Sequence, residues 1–113
     1  MIKIYHNPRC SKSRLGVAHL ENKNVEFNIV KYLDEKFTVK KLTDVISKLG
    51  FTPIQLVRKT EAIWKSDYKG KELSDAEIIE AMVKNPKLIE RPIVINKDKA
   101  IVARPTELID TIL

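Results

Sequence analysis

The sequence predicts an α/β fold built on a mixed four-stranded sheet with helices on its faces. Three observations support this prediction. The first 30 residues run strand, helix, strand, which is typical of a right-handed βαβ unit with parallel strands. Residues 92–103 contain two short apolar runs joined by a polar turn, which indicates an antiparallel hairpin. Helical patterns fill the segment between, about 36–85, and no linker or repeat interrupts the chain, so we expect a single domain over residues 1–113.

The N-terminal half begins with a strand at Ile2–Tyr5, where apolar and polar residues alternate. A helix is expected next, over residues 11–23. A second strand, Val25–Val30, again places apolar residues at alternate positions. The residues that share one face of this helix, with the histidine at the boundary, are Leu15, Ala18 and His19.

The middle segment carries local signals for three helices. The first is expected over Val39–Leu49, with a threonine N-cap before it and a glycine after it. A short helix starts at Pro53, and residues 61–72 are expected to form a looser connection anchored by aromatic side chains. A Ser–Glu capping box at residues 74–77 opens the third helix, which an Asn-Pro pair ends. The inward-facing side chains of the first and third helices are expected to be Leu42, Val45, Ile46, Leu49, Ile78, Ile79, Met82 and Val83.

In the C-terminal half, Pro92–Asn96 and Ala100–Ala103 are the predicted strands of the hairpin, and a proline is tolerated at the first position of a strand. Arg104-Pro105 then begins a final helix. Its expected inward-facing side chains are Leu108, Ile109 and Ile112.

Composition excludes several classes of function. The net charge of +6 suggests an affinity for anions, but the lysines are spread along the whole chain and no aromatic RNA-binding motif accompanies them, so we expect no nucleic-acid partner. No apolar run approaches the ~20 residues that span a membrane, and the chain opens directly on a strand rather than on a signal peptide. With a single cysteine, these features predict a cytoplasmic protein without membrane attachment.

That cysteine, Cys10, stands at the predicted strand-to-helix turn. The unpaired N–H groups at a helix N-terminus favour an anion, and two arginines and a histidine lie within four residues of the thiol. This electropositive setting favours a reactive thiolate, although a lone cysteine is often a small buried hydrophobe instead. A single cysteine excludes an intrachain disulfide, a cysteine-based zinc site and a self-contained dithiol cycle, so any reducing sulfur must come from another molecule.

The arginines form the second candidate feature. Only five of the 21 basic residues are arginine, and a guanidinium binds carboxylates and tetrahedral oxyanions bidentately where lysine cannot. Arg9 and Arg14 flank the cysteine, while Arg91 and Arg104 each directly precede a proline at the edge of an apolar segment. Each arginine could alternatively form a surface salt bridge.

Four motifs, in order, resemble the glutaredoxin-linked arsenate reductases of the ArsC/Spx family, and in particular its short YfgD-like members. They are residues 6–14 (HNPRCSKSR), 56–59 (LVRK), 90–94 (ERPIV) and 103–105 (ARP). The resemblance implies a thioredoxin-like fold with a helical insertion at about 36–85. It also implies an arsenate reductase with no bound cofactor and no metal, which uses glutathione as co-substrate and glutaredoxin as partner.

The resemblance carries specific roles to residues of this chain. Cys10 matches the nucleophile that attacks arsenic, and His6 and Ser13 match groups that support its thiolate. Pro92 matches a cis-proline beside the active-site cysteine. The three arginines that match those holding the oxyanion and its covalent adduct are Arg58, Arg91 and Arg104. The sequence stops near the end of the last predicted helix, so we expect it to lack the C-terminal tail of the fuller reductases.

Two other functions are compatible with the same fold. An Spx-like regulator would bind RNA polymerase, commonly through a Cys-x-x-Cys switch, but here the second position is Ser13, which excludes a disulfide switch. A monothiol oxidoreductase would reduce glutathione mixed disulfides and bind arsenate only incidentally.

Overall fold

The computed structural model describes residues 1–113, and the contacts within the chain divide it into two units. The sheet unit comprises Met1–Glu35 and Arg91–Leu113, and the helical unit comprises Lys36–Glu90. The elements of the sheet unit are β1 (Ile2–Tyr5), α1 (Ser11–Asn22), β2 (Phe27–Val30), β3 (Ile93–Asn96), β4 (Lys99–Val102) and a 3₁₀ helix at Thr106–Ile112. The elements of the helical unit are α2 (Val39–Leu49), α3 (Asp75–Lys84), 3₁₀ turns at Pro53–Leu56 and Pro86–Leu88, and a π-helix at Trp64–Tyr68.

The sheet is mixed and four-stranded, as the sequence predicts, with strand order β2-β1-β3-β4. β1 is parallel to β2 and antiparallel to β3, and β3 is antiparallel to β4. Tyr5 is paired with Val30 on one side and with Ile93 on the other, and Ile93 is paired in turn with Val102. The ends of β1, β2 and β4 and the start of β3 therefore meet at one end of the sheet, which we call the Tyr5 end.

The inner face of α1 differs from the face that the sequence pattern groups together. Leu15 and Ala18 are exposed, whereas Ser13, Gly16 and Leu20 are buried. The missing side chain of a glycine allows the helix to lie close to the residues beneath it. The core on this side of the sheet consists of Ile2, Ile4, Leu20, Val94, Ala103, Ile109 and Ile112.

The final helix is a 3₁₀ helix, and the prediction that Leu108 faces inward is wrong. Ile109 and Ile112 are buried, but Leu108 is 37% exposed. A 3₁₀ helix has three residues per turn, so Ile109 and Ile112, at positions i and i+3, share a face, whereas Leu108, at position i−1, lies about a third of a turn away. The choice of a 3₁₀ helix thus buries Ile109 and Ile112 and leaves Leu108 at the surface.

The helical unit follows its local signals closely. The Thr38 hydroxyl accepts a hydrogen bond from the first turn of α2, and Gly50 ends that helix in the left-handed conformation at φ +69°. Ser74 and its capping-box partner open α3 as predicted. The segment expected to be loose contains the π-helix, where the buried Trp64 stacks on Tyr68 with ring centroids 5.6 Å apart. No helix in the structure has the length and apolar character needed to cross a membrane.

Candidate active site

Cys10 is the N-cap residue of α1, at the strand-to-helix turn that the sequence predicts. Its backbone is extended, its N–H donates to the Asn7 carbonyl at 3.0 Å, and its own carbonyl accepts from the Arg14 N–H at 3.0 Å. The thiol is half-buried. It therefore lies beside the free N–H groups of the first helical turn and the positive end of the helix dipole, a position that favours the binding of an anion.

The loop that carries Cys10 is held by a set of local hydrogen bonds. The Asn7 side-chain carbonyl accepts from the Arg9 N–H at 3.0 Å, and the Asn7 N–H donates to Ser13 Oγ at 2.9 Å. Arg14 donates from Nη1 to the Pro8 carbonyl at 2.9 Å. Sequence reasoning did not assign Arg14 this bracing role, although its position four residues after the N-cap places it one turn along α1, within reach of the loop.

His6 and Ser13 form a buried pair beneath this loop. His6 Nδ1 lies 2.6 Å from Ser13 Oγ, and both residues are buried. Burial, followed by the positive charges of Lys31 and Arg14, lowers the pKa of His6, and hydrogen bonding by the Ser13 backbone only partly opposes this shift. His6 is therefore neutral at neutral pH and acts on the loop through its hydrogen bond, not through a positive charge.

Arg91 and Arg104 are brought to the same end of the sheet as the Cys10 loop. Arg91 is buried and stands two residues before Ile93, the partner of Tyr5, while Arg104 stands two residues after Val102, the partner of Ile93. The Ala103 N–H donates to the Pro92 carbonyl at 2.9 Å, which ties the two arginine segments together. Because the Cys10 loop continues from Tyr5, the segments that carry the thiol and these two guanidiniums all start from the Tyr5 end.

Both Arg–Pro peptide bonds are cis. The cis geometry at Arg91–Pro92 is the one that the family resemblance implies, whereas the cis bond at Arg104–Pro105 has no counterpart among the sequence predictions. Pro92 is fully buried and packs against α1, where a Cβ at Gly16 would lie 3.0 Å from its Cγ. Pro92 thus links the start of β3 to the helix that Cys10 caps.

Arg58 belongs to the helical unit and is surrounded by carboxylates there. Its Nη1 lies 3.1 Å from a Glu61 carboxylate oxygen and its Nε lies 3.4 Å from Glu90 Oε1. Its backbone N–H donates to the Leu88 carbonyl at 2.7 Å, next to an isolated antiparallel bridge between Val57 and Ile89. Two ion pairs and a short backbone bond give this guanidinium a defined position. Its predicted role in holding an oxyanion stays a prediction.

The titratable side chains of the chain do not assemble a metal centre. No group of three or more histidine, cysteine, aspartate or glutamate side chains is clustered as metal coordination requires. The chemistry available at the Tyr5 end is a half-buried thiol, a neutral imidazole and guanidinium groups. This set is suited to nucleophilic attack on an oxyanion.

Comparison with known proteins gives consistent results. The model of the ArsC family matches residues 5–112. The chain is 44% identical over 112 residues to a protein named arsenate reductase in Haemophilus influenzae, covering 97% of each chain. It is 43% identical over 108 residues to YfgD of Escherichia coli, covering 94% of this chain and 91% of that protein. Among solved structures, an arsenate reductase from Vibrio cholerae superposes with a TM-score of 0.95 at 39% identity, covering 99% of this chain and 97% of that one. These ArsC-family structures share the predicted thioredoxin-like fold.

Proposed function

The chain belongs to the ArsC family, and on that premise we propose that it reduces arsenate to arsenite through a covalent Cys10–arsenic intermediate. The observation that carries the proposal is the register of the sheet. Through Tyr5, Ile93 and Val102 it joins the Cys10 loop to the segments that hold Arg91 and Arg104. Relatives named arsenate reductase, at 44% and 38% identity, support arsenate as the oxyanion.

In the first step the Cys10 thiolate attacks arsenic, a Cys10 S–As bond forms, and one arsenate oxygen leaves as water after protonation. Arsenic stays in the As(V) state. A thiolate approaching a divalent anion brings like charges together, so the reaction requires cations that bind the oxygens more strongly as the adduct forms. Arg91 and Arg104 supply guanidinium forks for this purpose, and the family resemblance adds Arg58 as a third.

The reducing electrons come from outside the chain, because Cys10 is its only cysteine. Glutathione condenses with the arsenic of the adduct and releases a second water. A glutaredoxin thiolate then attacks the glutathione sulfur, a mixed disulfide forms, and the electron pair of the broken S–As bond reduces arsenic to As(III). Hydrolysis of the remaining Cys10 S–As bond consumes one water, releases arsenite and regenerates the thiol. Two thiols are thus oxidised to one disulfide for each arsenate reduced.

The proposal is tested by measuring arsenite formation with purified protein, glutathione and glutaredoxin. Cys10→Ser should abolish turnover. Arg91→Lys and Arg104→Lys should each lower kcat/KM for arsenate by about 10²-fold, the effect of removing one donor to a developing oxyanion, because a point charge replaces a fork. Arg58→Lys tests the third assignment in the same assay. Arg9→Lys, at an exposed position of the loop, is the matched control and should change kcat/KM little.

The outcome that contradicts the proposal is equally specific. If the wild-type protein forms no more arsenite than the Cys10→Ser control, arsenate is not its substrate and the proposal is wrong. Robust reduction of a glutathione mixed disulfide in that same preparation, without arsenate, would identify a monothiol oxidoreductase instead. Circular dichroism spectra of the variants separate a loss of chemistry from a loss of folding.

A further inference from the structure

The face of α1 that points away from the core carries two apolar residues, Leu15 and Ala18, close to the nucleophile. Along α1 the exposed residues Ser11, Leu15, Ala18 and Asn22 lie on one side, which we call the outer face, opposite the buried inner face. Leu15 is 51% exposed, and it is five residues, about 7.5 Å of helix axis, from Cys10. A leucine on the solvent side of a helix, beside a reactive thiol, is a candidate contact for another molecule.

A groove runs along this outer face. It has a volume of about 260 Å³, and the 3₁₀ helix at Thr106–Ile112 forms its second wall. Leu108 of that helix is exposed as well, so the groove and its surroundings present two leucines to solvent. The two walls are held together by Asp110, which lies 2.9 Å from His19 Nε2 and 3.4 Å from Lys23 Nζ. The residues that line the groove are Leu15, Ala18, His19, Asn22, Thr106 and Glu107.

The surface at the Cys10 end of the outer face is strongly basic. Residues 1–20 contain no aspartate or glutamate, whereas Arg9, Lys12 and Arg14 are all exposed within four residues of the thiol. Arg14 is engaged with the loop backbone, whereas Arg9 and Lys12 are exposed one and two residues from Cys10. The acidic residue of the groove, Glu107, belongs to the 3₁₀ helix. A partner that covers Cys10 should therefore be acidic around its point of contact.

We propose that the outer face of α1, from Cys10 to Ala18 together with Leu108, is the docking surface for the thiol protein that regenerates the enzyme. The proposal rests on the function proposed above, in which the partner is glutaredoxin. Its thiolate must reach a glutathione sulfur bonded to arsenic on Cys10, so its surface must cover the start of α1. A typical interface buries about 800 Å² on each partner, a patch of about 16 Å radius, which includes Leu15 and Ala18 when centred on Cys10. Acidic residues of glutaredoxin then lie against Arg9 and Lys12.

Steady-state kinetics with glutaredoxin as the varied substrate test the proposal. Leu15→Glu places a negative charge against an acidic partner and removes an apolar contact, and it should lower kcat/KM for glutaredoxin at least tenfold. Lys12→Glu should act in the same direction, and added salt should weaken the wild-type reaction. The matched control is Val39→Glu, at an apolar residue of α2 that is 48% exposed, and it should leave kcat/KM unchanged. Alkylation of Cys10 by iodoacetamide, measured without glutaredoxin, should be similar in the wild type, Leu15→Glu and Val39→Glu.

A binding measurement separates this proposal from the arsenate assignment. A glutaredoxin carrying acidic residues near its reactive cysteine is titrated into the ¹⁵N-labelled protein, and the amide shifts are mapped. Shifts confined to the Cys10 loop, α1 and residues 106–110 support the docking surface even if no arsenite is formed, in which case only the arsenate assignment fails. Shifts centred elsewhere, an absence of binding, or equal losses in Leu15→Glu and Val39→Glu would overturn the docking surface and leave the arsenate chemistry intact.

Discussion

Replacing Gly16 with alanine should destabilise the protein, although this substitution normally stabilises a helix. Gly16 is buried in the middle of α1. A Cβ built there would lie 3.0 Å from Pro92 Cγ and 3.2 Å from Ile4 Cδ1, and both distances are shorter than ordinary van der Waals contact. The added methyl group therefore has to displace α1, the proline ring or the isoleucine side chain.

The size of the effect follows from two opposing contributions. Alanine in place of glycine stabilises a helix interior by about 1 kcal/mol, whereas an extra methyl group in a packed core costs about 1–3 kcal/mol. The Ile4 methyl can rotate away, but the Pro92 ring is rigid and fully buried, so the cost should fall in the middle of that range. We expect a net loss of about 1 kcal/mol in the free energy of unfolding. Because Arg91 directly precedes Pro92, kcat/KM for arsenate should also fall, by up to about tenfold.

Urea unfolding followed by far-UV circular dichroism measures this loss. Ala18→Gly, on the outer face of the same helix, is the matched control and should cost about 1 kcal/mol through helix propensity alone. Adding an alanine at residue 16 and removing one at residue 18 should thus both destabilise the protein. If Gly16→Ala instead stabilises it by about 1 kcal/mol and leaves arsenate kinetics unchanged, the close approach of α1 to Pro92 does not constrain the site and the reasoning is refuted.

Three further predictions concern stability. Because the pKa of His6 is held below its ordinary value, acidification protonates His6 in the unfolded chain before it does so in the folded protein, and the free energy of unfolding should fall as the pH drops below about 6.5. In a pH series of urea titrations, the free energy of unfolding of His6→Gln should fall less steeply with decreasing pH than that of the wild type. The hydrogen bond from His19 lowers the pKa of Asp110, so the stability that the Asp110 carboxylate provides is present at neutral pH and is lost when acid protonates it. Asp110→Asn should therefore lower Tm at pH 7, and the difference in Tm from the wild type should disappear as the pH falls below about 4. Ser74→Ala removes the cap of α3 and should cost about 1 kcal/mol in urea unfolding, whereas Ser74→Thr should restore most of it.

The parts of the fold that local chemistry encodes could be predicted from the sequence. The predicted bounds of α2 match the observed Val39–Leu49, because a threonine cap and a left-handed glycine mark its two ends. The inner face of α1 could not be found in this way, since two of its three buried residues are Ser13 and Gly16, which are buried by close approach and hydrogen bonding and not by hydrophobicity. The π-helix at Trp64–Tyr68 likewise depends on tertiary packing of an aromatic pair, which carries no periodic signal.

In the candidate site, too, some features could be predicted from local sequence patterns and others depend on tertiary structure. The position of Cys10 at a helix N-terminus follows from the neighbouring strand and helix patterns, and the Arg-Pro pairs mark two strand ends that the register brings to the Tyr5 end of the sheet. The neutral state of His6 could not be anticipated, because it depends on burial and on Lys31, which reaches the site from the end of β2. The carboxylates around Arg58 belong to Glu61, three positions along the chain, and Glu90, 32 positions along. Sequence spacing suggests only the ion pair with Glu61.

The weak amphipathic pattern of α1 has a physical explanation in the two faces of this helix. Its inner face must hold the Cys10 loop, so it carries Ser13 to bind His6 and Asn7, and Gly16 to admit Pro92, where an ordinary helix would carry large apolar residues. In the mechanism proposed above, its outer face must remain accessible, because the single cysteine would depend on an external thiol that reaches Cys10. Apolar residues such as Leu15 are then retained on the solvent side for contact with that donor. If this explanation holds, substitutions on the inner face should change the arsenate reaction at saturating glutaredoxin, and substitutions on the outer face should change only the dependence on glutaredoxin.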